Sequence, residues 1–186
     1  MKKILSAAGL ALALASTASC GKAEAGSFPY DPVARGKYLV NTSGCHDCHT
    51  PWKMGEKGPE PDMTRMLSGH PEGVVMEEPV LRPGQWAGGP TNTVFKGPWG
   101  TSFTANLTPD VNTGLGIWTE QMFVRAIREG KHMGQSRPIL PPMPWPVYRN
   151  FSDDDLKAVY AYLRSIPAIH NRVPEPLPPP GLKEEE

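Results

Sequence analysis

The stretch from Cys45 to His49 constrains the fold of this chain more than any other, because it reads Cys-His-Asp-Cys-His, a C-x-x-C-H pattern. Two thiols at this spacing can each form a thioether with one vinyl group of the same porphyrin. The histidine directly after the second thiol is then placed to give an imidazole nitrogen to the iron. The pattern therefore predicts one covalently bound haem c, held by Cys45 and Cys48, with His49 as the proximal iron ligand.

Three other interpretations of the cysteine pair explain these residues less completely. A redox dithiol of this spacing belongs in a βαβ unit, and no alternation of strand and helix patterns flanks the pair. A structural zinc site needs four ligands, usually with a second cysteine pair, whereas the remaining cysteine, Cys20, lies in the leader. A local disulfide would leave His49 without a role.

For His49 we also expect a carbonyl in the loop around Pro51 to accept its Nδ1–H.

Residues 1–19 have the pattern of a bacterial export signal. Lys2 and Lys3 precede an apolar run of 12 residues, from Ile4 to Ala15, which is too short to cross a membrane as a helix. The leader predicts a periplasmic protein.

The run Thr17–Gly21 resembles the box of bacterial lipoproteins, with Thr17 in place of the leucine that this pattern prefers. It predicts that Cys20 is lipidated, begins the mature chain and attaches it to a membrane, with residues 20–27 as a tether. Cleavage by an ordinary signal peptidase after Ala25 is the alternative. Either outcome accounts for the third cysteine, so no disulfide is expected.

The length of 186 residues suits one domain, which we place at residues 28–170, before a proline-rich acidic tail over residues 171–186. Removal of the two leader lysines reduces Lys and Arg from 19 to 17 against 19 Asp and Glu, a net charge of about −2. A chain without a basic excess offers no field for nucleic acid. Nucleic acid is therefore excluded as a partner.

Capping residues and apolar spacing predict three main helices. Their expected limits are Pro32 to about Thr42 behind the N-cap Asp31, Glu120–Glu129 between Thr119 and Gly130, and a last helix between Ser152 and Pro167. The apolar face of the last helix is expected to cross the first helix near Gly36 and Tyr38.

The segment 51–105 is expected to be a long insertion of irregular backbone. Residues 51–100 contain 8 prolines and 9 glycines and show no helical period. Short strands are expected at residues 74–76 and 94–95, and His70 is expected at the surface. The apolar anchors of this segment are predicted to be Trp52, Trp86, Phe95 and Trp99. So long a loop in a small domain indicates a purpose, such as covering the haem or meeting a partner.

The second half of the chain resembles a known family. The similar residues are Gly97–Phe103, Asn106–Asp110, Thr113–Gly116, Trp118, Thr119 and Phe123. They are similar to the haem domains of bacterial membrane-bound alcohol and gluconate dehydrogenase cytochrome subunits, over about residues 97–166. Those subunits carry three haem motifs and a C-terminal membrane segment, whereas this sequence shows one motif and no such segment.

The resemblance implies an all-α, class I-like cytochrome c core of three main helices around one haem. In cytochromes of this class a glycine lets the first and last helices cross closely, and Gly36 resembles that glycine. The distal iron ligand is predicted to be Met143, because the run Pro138–Pro146 holds five prolines that fix its place in the loop. A thioether is a soft ligand, and His/Met ligation raises the haem potential. His132 and Met133 are the rival ligands.

The predicted function is periplasmic one-electron transfer rather than catalysis, since a six-coordinate iron has no open position. The expected partners are redox proteins: a dehydrogenase, a respiratory complex, or a terminal oxidase or reductase. Two alternatives remain open at this point. The chain could be a non-catalytic haem subunit of a larger dehydrogenase, or a haem enzyme or gas-binding protein with a labile distal ligand.

Overall fold

The computed structural model describes residues 30–77 and 79–179. The predictions for residues 1–19 and 20–27, including lipidation of Cys20, lie outside the described residues. Among those that are described, the helices are α1 (Pro32–Thr42), α2 (Cys45–His49), α3 (Glu120–Glu129), α4 (Trp145–Tyr148) and α5 (Asp153–Ser165), with short 3-10 helices at Met63–Arg65 and His132–Gly134.

The three main helices begin at the predicted N-caps. The Asp31 carboxylate accepts the amides of Val33 and Ala34 at 2.9 and 3.1 Å, ahead of α1. The Thr119 hydroxyl accepts the amide of Met122 at the start of α3. Each cap satisfies amides that have no partner inside the helix. The third cap, Ser152, accepts the amide of Asp155 at 3.1 Å at the start of α5.

Helices α1 and α5 cross at Gly36, as predicted. A Cβ atom at this position would lie 1.9 Å from the carbonyl oxygen of Ala158 and 2.8 Å from the Cβ of Tyr162. Only a residue without a side chain lets the two backbones approach so closely. Tyr38 was also predicted to lie at this crossing, and that was wrong, because Tyr38 is 59% exposed.

The apolar core lies between α1, α3 and α5. It contains eleven buried side chains, contributed by all three helices and by two connecting loops: Leu39, Val40, Leu67, Leu115, Phe123, Ile127, Leu156, Val159, Tyr162, Leu163 and Ile166. Burial of each large apolar side chain stabilises the fold by about 1.5–3 kcal/mol. The helical spacing of the sequence therefore identifies the elements that form the core.

The fold is not all-α, and the prediction of that class was wrong. The described part of segment 51–105 contains two antiparallel sheets: β1 (Trp52–Gly55) with β2 (Gly58–Pro61), and β3 (Ala87–Gly88), β4 (Val94–Gly97) and β5 (Gly100–Phe103) in the order β3-β4-β5. A two-residue turn, Pro98–Trp99, joins β4 to β5. Of the two expected strands, residues 94–95 lie in β4, whereas residues 74–76 are not in a strand.

Within segment 51–105, a buried polar side chain joins separate parts of the loop. His70 is completely buried, so its predicted surface position was wrong. Its Nδ1 lies 2.9 Å from the Thr93 hydroxyl, and its Nε2 lies 2.8 Å from the Val74 carbonyl. The ring nitrogens thus exchange water for protein partners, which offsets the free-energy cost of burying a polar ring.

The segment after α5 packs against the domain instead of leaving it. Thr101 in β5 and Leu177 exchange two backbone hydrogen bonds, at 2.8 and 2.9 Å.

Within residues 30–77 and 79–179, no helix combines the length and the apolar character needed to cross a bilayer.

Candidate haem site

Helix α2 is a single turn that places both thiols and one imidazole on the same side. Gly44 introduces it with φ of 76° in the left-handed region, which glycine adopts without steric cost. Positions three and four apart on a helix lie on one face, so Cys45, Cys48 and His49 point the same way. All three line one cavity.

The orientation of His49 is fixed by a backbone carbonyl. Its Nδ1 lies 2.8 Å from the Ala105 oxygen, so Nδ1–H donates to that carbonyl and Nε2 is left to face the cavity. We predicted an acceptor in the loop around Pro51, and this was wrong. The acceptor lies 56 residues beyond His49. Burial lowers the pKa of His49, which keeps the ring neutral, as an iron ligand must be.

The Ala105 carbonyl is held in place by the residue next to it. Asn106 is 4% exposed. Its side-chain nitrogen donates to the Ile169 carbonyl at 2.8 Å, and its side-chain oxygen accepts the amide of Thr108 at 2.9 Å. Asn106 therefore ties the stretch that supports His49 to the segment after α5.

The two thiols are in surroundings unlike those of a reactive dithiol. Burial raises the pKa of Cys45 to about 11. Burial, followed by the nearby Asp47 carboxylate, also raises the pKa of Cys48. Redox-active cysteines instead have a lowered pKa, because the thiolate is the nucleophile. The raised pKa values thus argue against the dithiol interpretation.

A zinc site is also disfavoured by the arrangement of ligands. A structural zinc ion needs four protein ligands at short range. In the described part of the chain, no group of three or more His, Cys, Asp or Glu side chains converges in a way that could hold a metal ion.

The cavity matches a porphyrin in volume and character. Its volume is about 860 Å³, within the range of pockets that bind large organic ligands. Its walls come from all three main helices and include the apolar side chains of Leu39, Phe123, Leu156, Val159 and Leu163. Apolar walls together with two thiols and an imidazole on one turn are what a covalently held haem requires.

The predicted distal ligand lies on the wall of this cavity. Met143 also packs against the apolar core. Its loop is held at Pro141, whose carbonyl accepts the Ser102 hydroxyl at 2.6 Å, and helix α4 begins two residues after Met143. Segment 51–105 therefore fixes the loop that carries Met143.

Both rival ligands line the same cavity. Met133 has φ of 53°, a left-handed conformation that non-glycine residues rarely adopt. His132 packs edge-on against the Trp118 ring, with ring centroids 5.2 Å apart. The fold thus brings all three candidates to the cavity, and the choice among them stays a prediction.

Sequence reasoning missed three contributors to the site. The Ala105 carbonyl is one, since a main-chain acceptor has no residue signature. Arg137 and Arg172 are the others, and both residues line the cavity. Because Arg172 lies beyond α5, in the stretch predicted to be a proline-rich tail, only the tertiary structure places it there.

Known proteins resemble this chain over most of the described domain. The family described as Cytochrome c matches residues 33–167. A stretch of 77 residues, 41% of this chain, is 40% identical to part of a nicotinate dehydrogenase of Pseudomonas putida, where it covers 6% of the matched polypeptide.

Two further relatives match more of the chain. The cytochrome c subunit of the quinone alcohol dehydrogenase of Gluconobacter oxydans is 30% identical over 77% of this chain and 24% of its own length. The gluconate 2-dehydrogenase cytochrome c subunit of Pantoea cypripedii is 32% identical over 70% of this chain and 22% of its own length. The chain thus spans about a quarter or less of each relative, and the predicted resemblance to such subunits is confirmed.

Proposed function

This chain belongs to the cytochrome c family, and from that premise we propose that it is a one-electron carrier. In this proposal its single haem is attached through Cys45 and Cys48 and ligated by His49 and Met143. When bound, the haem supplies reversible iron(II)/iron(III) exchange, and the protein sets the potential at which it occurs.

The observation that carries the proposal is the placement of Cys45, Cys48 and His49 on one turn facing an apolar cavity. The hydrogen bond from His49 to the Ala105 carbonyl supports it, because such a bond fixes the ring and strengthens imidazole as a ligand. The exclusion of water by the apolar walls favours a small change in solvation on electron transfer.

Ligation by Met143 is supported by its position on the cavity wall and by the anchoring of its loop through Ser102. A sixth ligand from the protein closes the iron to substrates, so this arrangement favours electron transfer over catalysis. A haem with a labile distal ligand would instead bind external molecules.

The attachment is tested by replacing the thiols. The double variant Cys45→Ala, Cys48→Ala is expected to retain no haem in denaturing electrophoresis, and each single variant at most one thioether. A double variant that keeps its haem under these conditions would refute the proposed attachment.

The distal ligand is tested by Met143→Ala, with Met133→Ala as a matched control from the same cavity wall. Met143→Ala is expected to lose the weak far-red sulfur-to-iron(III) band, to bind carbon monoxide when reduced, and to have a lower midpoint potential. Met133→Ala should keep the band. The reverse result would assign the ligand to Met133, and a wild-type protein without the band would favour His132.

We further propose that the electron donor is a dehydrogenase, since relatives of this chain are named as cytochrome subunits of alcohol and gluconate dehydrogenases. The test is purification from the native membrane fraction. A co-purifying dehydrogenase should reduce the haem when its own substrate is added. A haem that stays oxidised, although it accepts electrons from a chemical reductant, would argue against this donor.

The location we propose is the periplasm, with a lipid on Cys20, as the leader pattern indicates. Two acyl chains suffice for stable anchoring, whereas one does not. Wild-type protein should therefore sediment with membranes, and Cys20→Ser should be released or left unprocessed. A mature N-terminus at Gly26 without lipid mass would contradict the anchor.

A further inference from the structure

We propose that the segment Arg172–Pro176, which follows the last helix, is part of the haem site. In this proposal Arg137 and Arg172 bind the two haem carboxylates, and Glu175 holds Arg137 in position. The inference rests on the proposed haem in the cavity, and it adds a function to a segment that lies outside the three-helix core.

The segment is fixed at its first end by Asn171, which is 2% exposed. The Asn171 side chain donates to the carbonyls of Ser68 and His70 at 2.7 and 2.8 Å, and it accepts the amide of Glu72 at 2.9 Å. Its own amide donates to the Thr113 hydroxyl at 3.1 Å. The chain entering Arg172 is therefore held by both segment 51–105 and the loop before α3.

The other end is fixed by Leu177, which pairs with Thr101 of β5 through two backbone hydrogen bonds. All five residues between these two anchors line the cavity. Because both ends are hydrogen-bonded to the domain and every residue between them lines the cavity, the segment forms part of the cavity wall. A tail without these contacts would not be held against the cavity.

The charges on the cavity wall match the haem carboxylates. A porphyrin with two vinyl groups on one edge carries its two propionates on the opposite edge, and thioethers at Cys45 and Cys48 fix the vinyl edge. Among the described lining residues, the guanidinium groups belong to Arg137 and Arg172, and the other charged or titratable side chains outside α2 include Glu175 and His132. Guanidinium binds carboxylate through two parallel hydrogen bonds, so two such groups suit two propionates.

Arg137 is held from two sides. The amide of His132 donates to its carbonyl at 2.9 Å, and its Nε donates to the Glu175 carboxylate at 2.9 Å. Arginine has five N–H donors, so the bond through Nε is compatible with further bonds through the Nη atoms. The Arg137 side chain is 41% exposed and Glu175 81% exposed, so the ion pair lies at the rim of the cavity.

This arrangement predicts opposite electrostatic effects from adjacent side chains. Positive charge near the haem favours iron(II), which carries one positive charge fewer than iron(III), and negative charge favours iron(III). Arg137 and Arg172 should therefore raise the midpoint potential, whereas Glu175 should lower it. A segment remote from the haem would not give effects of opposite sign.

The test compares Arg137→Gln, Arg172→Gln and Glu175→Gln in the holoprotein, by redox titration and by the thermal midpoint. The two arginine variants are expected to reduce the equilibrium constant of reduction about threefold or more, and Glu175→Gln is expected to increase it. Tenfold corresponds to about 59 mV for a one-electron couple. Arg172→Lys should stay near the wild-type potential because it keeps the charge. Lys157→Gln, on exposed α5 surface away from the haem cavity, removes the same charge and should have no effect.

The outcomes separate this inference from the proposed function. A pyridine haemochrome assay first establishes that haem is present in each variant. Absence of covalent haem from the wild type would refute the proposed function itself. If haem is present and the three glutamine variants keep the wild-type potential, or all shift it in one direction with their thermal midpoints, the role of Arg172–Pro176 in binding the carboxylates is refuted.

Discussion

The helical core and segment 51–105 are stabilised by different interactions. In the core, α1, α3 and α5 bury large apolar side chains against one another, and backbone hydrogen bonds are satisfied inside each helix. In segment 51–105, two small sheets satisfy part of the backbone, and the buried side chains of His70 and Asn171 bond to further backbone groups. Packing thus dominates the first region, and directional hydrogen bonds dominate the second.

The two regions contribute different parts of the haem site. The core helices supply much of the apolar cavity wall, and α2 carries Cys45 and His49. Segment 51–105 supplies the Ala105 carbonyl for His49 and the Ser102 hydroxyl for the loop of Met143. The helices therefore enclose the cavity, whereas the segment positions His49 and the loop of Met143, the two proposed iron ligands.

The largest effect is expected from Gly36→Ala. An alanine Cβ would meet backbone atoms of Ala158, which cannot move without separating α1 from α5. We expect the free energy of unfolding to fall by about 3 kcal/mol, although alanine otherwise favours a helix by roughly 1 kcal/mol. Urea denaturation of the holoprotein measures the change.

Gly55→Ala is the matched control in β1. There the three atoms nearest to the added Cβ belong to the carboxylate end of Glu60, a flexible side chain that can move aside. Its free energy of unfolding should change by less than about 1 kcal/mol. Equal losses at Gly36 and Gly55 would show that the close helix crossing is not what limits the stability of the core.

A smaller and more local effect is expected from Asn171→Ala. The change would remove the donors to the Ser68 and His70 carbonyls and the acceptor of the Glu72 amide. Leaving buried partners unsatisfied costs about 1–3 kcal/mol. Hydrogen exchange should show the loss first at residues 68–74, before α1 and α5.

Asn150→Ala serves as the control, because Asn150 is an exposed residue whose side chain donates to the nearby Pro146 and Val147 carbonyls. Its effect should lie within about 0.5 kcal/mol. If Asn171→Ala left exchange at residues 68–74 unchanged, the polar contacts would not be what stabilises segment 51–105.

The smallest effect concerns pH and His70. Burial lowers the pKa of this side chain below its usual 6.5. Between the two pKa values the unfolded chain binds a proton that the folded protein does not, so stability falls as the pH drops below 6.5. The limiting slope for one proton is about 1.4 kcal/mol per pH unit.

Denaturation of the wild type and of His70→Gln between about pH 8 and pH 5 measures this slope. Gln retains a donor and an acceptor but does not titrate, so its curve should be flatter below the usual histidine pKa. The difference between the two proteins removes the contributions of the other histidines. Parallel curves would show that His70 does not control the acid stability of this region.

The sequence by itself determined the elements whose signals are local. The caps Asp31, Thr119 and Ser152 precede their helices, and the spacing of Cys45, Cys48 and His49 places them on one turn. Such signals act over one or two helical turns, so neighbouring residues suffice to define them. The close approach at Gly36 was expected from the resemblance to cytochromes in which a glycine lets the first and last helices cross closely.

Only the tertiary structure decided what joins distant parts of the chain. His49 meets the carbonyl of Ala105 at a separation of 56 residues, and Asn171 meets Ser68 at a separation of 103. The sheets of segment 51–105 and the position of Arg172 at the cavity wall were likewise decided only by the tertiary structure. A backbone carbonyl is the same in every residue, and a polar side chain shows no period, so neither reveals its partner before the chain has folded.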